Sequence, residues 1–133
     1  MNLTDATILS QPRTDAAWLE PGAHINAAGS NALIRQELSE AAVRRCDLLT
    51  VDAVPTALAE AGDLLPLLEK GRLHARQLVE IGDVLIGRQA GRVSPGQMTL
   101  FESQGMARQD LAVAVRLLAD AEAAGLGTSL PLR

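Results

Sequence analysis

Apolar residues along this chain fall into two kinds of run. One kind is short, continuous and bounded by turn residues. Leu48-Leu49-Thr50-Val51 is the clearest, and such a run suits a parallel strand buried on both faces. Residues 23–28 read as a second strand that runs into Gly29-Ser30-Asn31, and Met98-Thr99-Leu100-Phe101 as a third. The other kind repeats with helical spacing. Segment 36–45 puts Leu38, Ala41, Ala42 and then Cys46 near one face. Segment 55–61 carries Pro55 in its first turn, and 64–70 is apolar and helical in length. The strongest helix is 107–124, with Leu111, Val115, Leu118 and Ala119 on one stripe and Gly125 and Gly127 marking its end. Residues 15–19 suit one helical turn with Asp15 as N-cap, before Pro21-Gly22 breaks it. Segment 1–7 suits the end of a strand, 10–14 a turn around Pro12, and 87–96 a loop. Segment 78–86 mixes the two periodicities, and its state stays open.

Strands separated by helix-length segments predict an α/β layer with parallel pairing. So few short strands imply a very small sheet or part of a larger one.

Composition narrows the function. The chain has 133 residues, room for one modest domain, and its 47% hydrophobic and 21% charged content is that of a globular protein. Twelve Lys and Arg against 16 Asp and Glu give a formal charge of −4, which argues against electrostatic capture of nucleic acid. Trp18 and Phe101 are the aromatic residues, so base stacking is also disfavoured. Cys46 stands alone, which excludes an internal disulfide and a cysteine metal cluster and points to a reducing compartment such as the cytoplasm. Its place on an apolar stripe marks it as a packing residue rather than a nucleophile. No run approaches the roughly 18 apolar residues of a membrane span, and no secretory signal is visible.

The strongest chemical signal is strand, then Gly29-Ser30-Asn31, then helix. In open parallel sheets, ligands bind beyond the carboxyl ends of the strands. Gly29 permits close approach to the backbone, Ser30 and Asn31 offer polar groups, and Arg35 reaches for an anion. A tight turn leading into a capped helix explains the same residues. Ser103-Gln104-Gly105 occupies a second strand-end position, and the two loops meet if their strands share a sheet. Neither G-x-G-x-x-G nor G-x-x-x-x-G-K-[ST] occurs. His24 and His74 show no metal-ligand spacing, and His24 reads as a hydrogen-bonded core residue rather than a base. No metal site is expected.

At these residues the sequence resembles the C-terminal portion of the ornithine cyclodeaminase/mu-crystallin family. The resemblance rests on Trp18-Leu19-Glu20-Pro21-Gly22-Ala23-His24-Ile25-Asn26-Ala27-Ala28-Gly29-Ser30-Asn31, on Arg35-Gln36-Glu37-Leu38, and on Val51-Asp52 followed by Ala57-Leu58-Ala59-Glu60-Ala61-Gly62-Asp63. Glu80-Ile81-Gly82-Asp83-Val84 and Thr99-Leu100-Phe101-Glu102-Ser103-Gln104-Gly105 leading to Asp110-Leu111 complete it. These blocks are collinear over nearly the whole chain.

The resemblance implies a partial Rossmann-like parallel sheet with flanking helices and a long C-terminal helix. Residues 1–133 would form the C-terminal half of an NAD(P)-binding domain, with 107–133 running toward an absent substrate and dimerisation domain. It implies hydride transfer between NAD or NADP and a small cyclic imino acid or related amino acid. Thr7 resembles the last threonine of the family's Thr-Ala-Thr strand end, where Asp5 replaces the first. Ala27, Ala28, Gly29 and Ser30 resemble the loop that approaches the nicotinamide, with Ser103 beside it and Gln104 near substrate. Asn31 falls where cyclodeaminases carry an acid/base aspartate. An amide does not exchange a proton as a carboxylate does, which favours the ketimine-reductase-like branch over ornithine cyclodeamination. Arg35 stands where cyclodeaminases have lysine and keeps the charge for an anionic cofactor group.

The family's glycine-rich loop, ribose-reading acid and N-terminal substrate residues have no counterpart here. A truncated, inactive fragment with weak or no cofactor binding of its own is therefore expected. Its partner would be a second copy or a separate N-terminal half. A non-catalytic α/β unit that self-associates, and a degraded gene product, are the competing expectations.

Overall fold

A computed structural model describes residues 2–3, 14–128 and 130 of the chain. Strands β1 (Asn2–Leu3), β2 (His24–Ala27), β3 (Leu48–Val51), β4 (Leu78–Glu80) and β5 (Thr99–Glu102) form one sheet. Its order is β1-β2-β5-β3-β4 and every pairing is parallel. The last strand thus enters the middle of the sheet, between β2 and β3. Helices α1 (Glu40–Arg44), α2 (Val54–Glu60), α3 (Leu65–Glu69), α4 (Ile81–Leu85) and α5 (Ala107–Ala123) connect or follow the strands.

Register decides which residues face the core. Ile25 pairs with Leu100, Leu100 with Leu49, and Leu49 with Leu78, so these four side chains form one row on one face. They pack against Ala42 and Val43 of α1, Ala57 of α2 and Leu67 of α3. The next row toward the carboxyl ends is Ala27, Glu102, Val51 and Glu80 on that same face. A glutamate therefore sits where periodicity calls for an apolar residue. The opposite face carries His24, Leu48, Thr50 and Thr99, which line a cavity with Ile81, Val84 and Arg92.

Local chemistry sets the element ends. Asp15 accepts from the Ala17 N–H and caps a single helical turn at Ala16–Trp18. Ser39 accepts from the Ala42 N–H, so α1 begins at Glu40 and not at 36. Residues 37 and 38 are held outside the helix because their N–H groups donate to Asp63 Oδ1, at 2.8 and 3.1 Å. Segment 78–86, which mixes two periods, is two elements end to end, β4 and then α4. The strand expected at 98–101 lies one residue later. The sheet has five strands: β1 lies within segment 1–7, read as a strand end, and β4 is too short to show a period.

Helix α5 stands apart from this core. None of its residues is buried, and Leu111, Val115, Leu117 and Leu118 are each at least 60% exposed. Its apolar stripe covers nothing among the described residues. His24 corrects a further expectation. It is exposed rather than core, and its ring Nδ1 is 2.6 Å from Thr99 Oγ1. No helix among the described residues is long and apolar enough to cross a membrane.

Candidate functional site

The two small-residue loops do meet. β2 and β5 are neighbours with Ala27 opposite Glu102, and the ladder extends one step as the Ser103 N–H donates to the Ala27 carbonyl at 2.8 Å. Loops 28–31 and 103–106 therefore leave the carboxyl edge of the sheet side by side. Ala27 is buried in the strand, Ala28 and Asn31 are exposed, and Ser103 and Gln104 are half-buried. Thr7 lies outside the described residues.

Each loop is anchored by a carboxylate. Asp52, directly after β3, accepts from the Ser103 hydroxyl at 2.6 Å and the Gly105 N–H at 2.9 Å through Oδ2. Its Oδ1 accepts from Gln109 Nε2 at 3.0 Å, which ties the loop to the first turns of α5. Gly105 takes φ +80°, a left-handed turn that an L side chain disfavours. On the other loop, Glu37 Oε2 accepts from the Gly29 N–H at 2.8 Å. A Cβ on Gly29 would stand 2.5 Å from Glu37 Oε1, so the missing side chain makes room for the chain's own carboxylate.

Ser30 is wholly buried. Its hydroxyl donates to the Arg35 carbonyl at 2.9 Å and accepts from the Asp63 N–H at 2.8 Å. Gly62 packs so tightly there that a Cβ would lie 2.2 Å from the Arg35 carbonyl oxygen. The side chain of Ser30 is thus an internal brace for segment 30–38, and no part of the residue is exposed. Arg35 Nη1 donates to Asn31 Oδ1 at 2.7 Å, which fixes the orientation of the exposed amide.

Beneath both loops lies a group of enclosed acids. Glu102 has no exposed surface and Asp63 is 2% exposed. Burial, followed by the neighbouring charge of Asp63, pushes the Glu102 carboxyl well above the ordinary range. Burial raises Asp63 to about 7 against the opposing pull of the Leu38 and Glu37 N–H groups. Glu102 Oε2, Asp63 Oδ2 and Gln104 Oε1 are buried without a hydrogen-bond partner. Gln104 Nε2 lies 3.5 Å from Glu102 Oε1, at the outer limit of a hydrogen bond. Cys46, on the far side of the core, is raised to about 11 chiefly by burial and is a packing residue.

Sequence reasoning singled out both loops, to meet if their strands shared a sheet, but passed over Asp52, Glu37, Asp63 and Glu102 as site residues. Asp52 and Glu102 had a signal, since each carboxylate directly terminates an apolar run at a strand's carboxyl end. Glu37 and Asp63 had none, because their partners are set by tertiary contact.

Most of this chain matches known proteins. The profile of the ornithine cyclodeaminase/mu-crystallin family matches residues 1–124. Delta(1)-pyrroline-2-carboxylate reductase of Bacillus cereus is 36% identical over 110 residues, which is 82% of this chain and 34% of that protein. Ketimine reductase mu-crystallin of Mus musculus is 35% identical over 119 residues, covering 90% of this chain and 35% of that one. The structure of Thermococcus litoralis Delta(1)-pyrroline-2-carboxylate reductase in complex with NADH and L-proline superposes with a TM-score of 0.83 at 29% identity, covering 93% of this chain and 38% of that one. The iminosuccinate reductase of Paracoccus denitrificans, in complex with NAD+, gives a TM-score of 0.82 at 27% identity over 95% of this chain and 38% of that one. The chain spans about a third of the length of the curated relatives it matches.

Proposed function

Because the chain belongs to the ornithine cyclodeaminase/mu-crystallin family, we propose that it supplies the nicotinamide-facing part of an NAD(P)-dependent oxidoreductase. The substrate class is a small cyclic imino acid, a ketimine or pyrroline carboxylate. The observation that carries this reading is the edge where loops 28–31 and 103–106 leave the sheet side by side, with the Ser103 N–H donating to the carbonyl of Ala27 at the end of β2. Open parallel sheets bind cofactors at such an edge.

The residues present fit one end of a dinucleotide and not the other. Ala28 is exposed and small and keeps the edge low there, so a flat ring approaches without meeting a long side chain. No glycine-rich phosphate-gripping turn occurs in the sequence. The nicotinamide, when bound, supplies the hydride. Asn31, held by Arg35, and Ser103, held by Asp52, present fixed polar groups at that edge. Their part is to orient reacting groups, because neither side chain titrates near neutrality. Arg35 adds a positive charge for a phosphate or carboxylate, and Gln104, whose amide lies against Glu102, is the residue that the resemblance puts near substrate. Cyclodeamination needs a proton carrier where Asn31 stands, so reduction of an imine is the better supported reaction. Helix α5, with its exposed leucines, is where a second copy or further protein would pack.

Saturation-transfer NMR with NADH and NADPH tests the cofactor half of this reading. Saturation of the nicotinamide protons, with little at the adenine, is the expected result. Equal saturation of both rings, or none of the nicotinamide, refutes it. A chimera in which this chain replaces the matching third of the Bacillus cereus reductase tests the substrate class. Oxidation of NAD(P)H by pyrroline-2-carboxylate is expected, and a folded chimera without turnover counts against it.

A further inference from the structure

Helix α5 carries a seam whose pattern specifies a partner. Leu111 and Leu118 alternate with Ala107, Ala114 and Ala121 at the three- and four-residue spacing of a coiled-coil contact line. Val115 and Leu117 border that line on either side. Leu111, Val115, Leu117 and Leu118 are between 60% and 65% exposed. Gln109 and Arg116 lie on the opposite side of the helix. Gln109 Nε2 donates to Asp52 Oδ1 at 3.0 Å, so at its first turn the helix gives that side to the sheet and the seam points outward. Exposed apolar side chains in a continuous line are an interaction surface rather than scattered surface residues.

Size and charge choose the occupant. Two copies laid side by side in the same direction would set leucine on leucine and alanine on alanine at successive levels. Reversed, Leu111 meets Ala121 of the second copy and Ala114 meets its Leu118, so each large side chain enters the space beside a small one. In this reversed register Arg108 faces Glu122 of the second copy, and Glu122 faces its Arg108, on the side of the seam that holds Val115. On the other side Leu117 meets Leu117, and Asp110 falls opposite Ala124. No like charges are brought together. In the parallel arrangement Arg108 and Glu122 stay 14 positions apart, about 21 Å along the axis, and do not meet. Neither has an ion-pair partner among the described residues, whereas Arg116 and Asp120, which lie off the seam, hold each other at 2.8 Å.

We propose that α5 joins a second copy of this chain as an antiparallel helix pair, leucine against alanine along the seam and closed at each end by Arg108 with Glu122. The proposal rests on the reading of α5 as a packing surface and narrows its occupant to a second copy. The contact is small, one helix from each copy, so the dimer dissociates on dilution rather than being permanent.

Sedimentation equilibrium of the full chain, over a concentration series reaching millimolar, tests this. A monomer–dimer equilibrium is expected in wild type. Arg108→Glu and Glu122→Arg each turn two attractions per dimer into two repulsions, and each is expected to raise Kd about tenfold. Both positions are exposed, so the folded monomer is left intact. An equimolar mixture of the two variants restores both attractions in a heterodimer, and its Kd is expected to return to the wild-type value. The mixture carries its own control, since a variant that failed to fold would not be rescued. A wild-type chain that is monomeric throughout the series overturns the second copy as occupant, whether a further protein or another part of the chain takes the seam. A mixture that associates no more tightly than its components overturns the antiparallel pairing. A wild-type dimer unchanged by Leu111→Glu with Leu118→Glu is held elsewhere, which overturns the packing-surface reading as well. None of these readouts involves a nicotinamide, so the cofactor reading stands or falls separately.

Discussion

Replacing Ser30 with alanine separates an internal brace from a ligand contact. The hydroxyl is wholly buried and has two protein partners, the Arg35 carbonyl at 2.9 Å and the Asp63 N–H at 2.8 Å. Ser30→Ala leaves one buried acceptor and one buried donor behind. Each orphan costs roughly 1–3 kcal/mol. Asp63's N–H also lies near the Glu102 carboxyl, which recovers part of the loss. A total of about 3 kcal/mol is the resulting figure. With a urea slope of about 2 kcal/mol per molar, the midpoint falls by roughly 1.5 M. Asn31→Ala is the control, because Asn31 is exposed and its change should stay within about 0.5 kcal/mol. Equilibrium urea unfolding, followed by circular dichroism on both variants, makes the comparison. If Ser30→Ala moves the midpoint no further than Asn31→Ala, with unchanged slope, the hydroxyl does not hold the loop and the reasoning fails.

Other substitutions probe the same architecture. Gly29→Ala forces the Glu37 carboxylate off the Gly29 N–H, since the new Cβ would stand 2.5 Å from its oxygen, and should cost about 1–3 kcal/mol in a thermal melt. Asp52→Asn keeps the size but weakens acceptance from the Ser103 hydroxyl and the Gly105 N–H, so the Gly105 amide should exchange faster while signals of α1 stay unchanged. Cys46, raised from 9.0 to about 11, holds roughly 100-fold less thiolate at neutral pH than a free thiol, and iodoacetamide labelling followed by mass spectrometry should show a comparable slowing. Leu117→Glu with Leu118→Glu should leave the unfolding free energy within about 0.5 kcal/mol per site, because both leucines are exposed, while lowering any self-association seen by light scattering.

Much of this fold is written in local pattern. Leu48–Val51 reads as a strand because all four residues tolerate burial on two faces, and α5 reads as a helix because its stripe persists over four turns. The strand-end rule put each loop at a strand's carboxyl end, and the pairing of β2 with β5 is what brings them together. The α1 start escaped, because Glu37 and Leu38 keep helical spacing while Asp63 captures their backbone groups from another part of the chain. Gly29 was legible as a point of close approach, but the approaching group is Glu37 from eight residues away, a partner no periodicity reveals. Glu102 occupies an inward position in an apolar row. Sequence alone does not distinguish a functional acid there from a misread strand register.

Helix α2 has only seven residues and no side-chain cap of its own at Ala53. Its first N–H, at Val54, is taken by Glu80 Oε1 at 3.0 Å, from the end of β4 and 26 positions downstream. Isolated helices this short do not persist in water. During synthesis the 54–60 segment therefore leaves the ribosome before the residue that secures its N-terminus has been made. Helix α2 should gain lasting order only after β4 has joined the sheet, late in chain assembly rather than as an early nucleus.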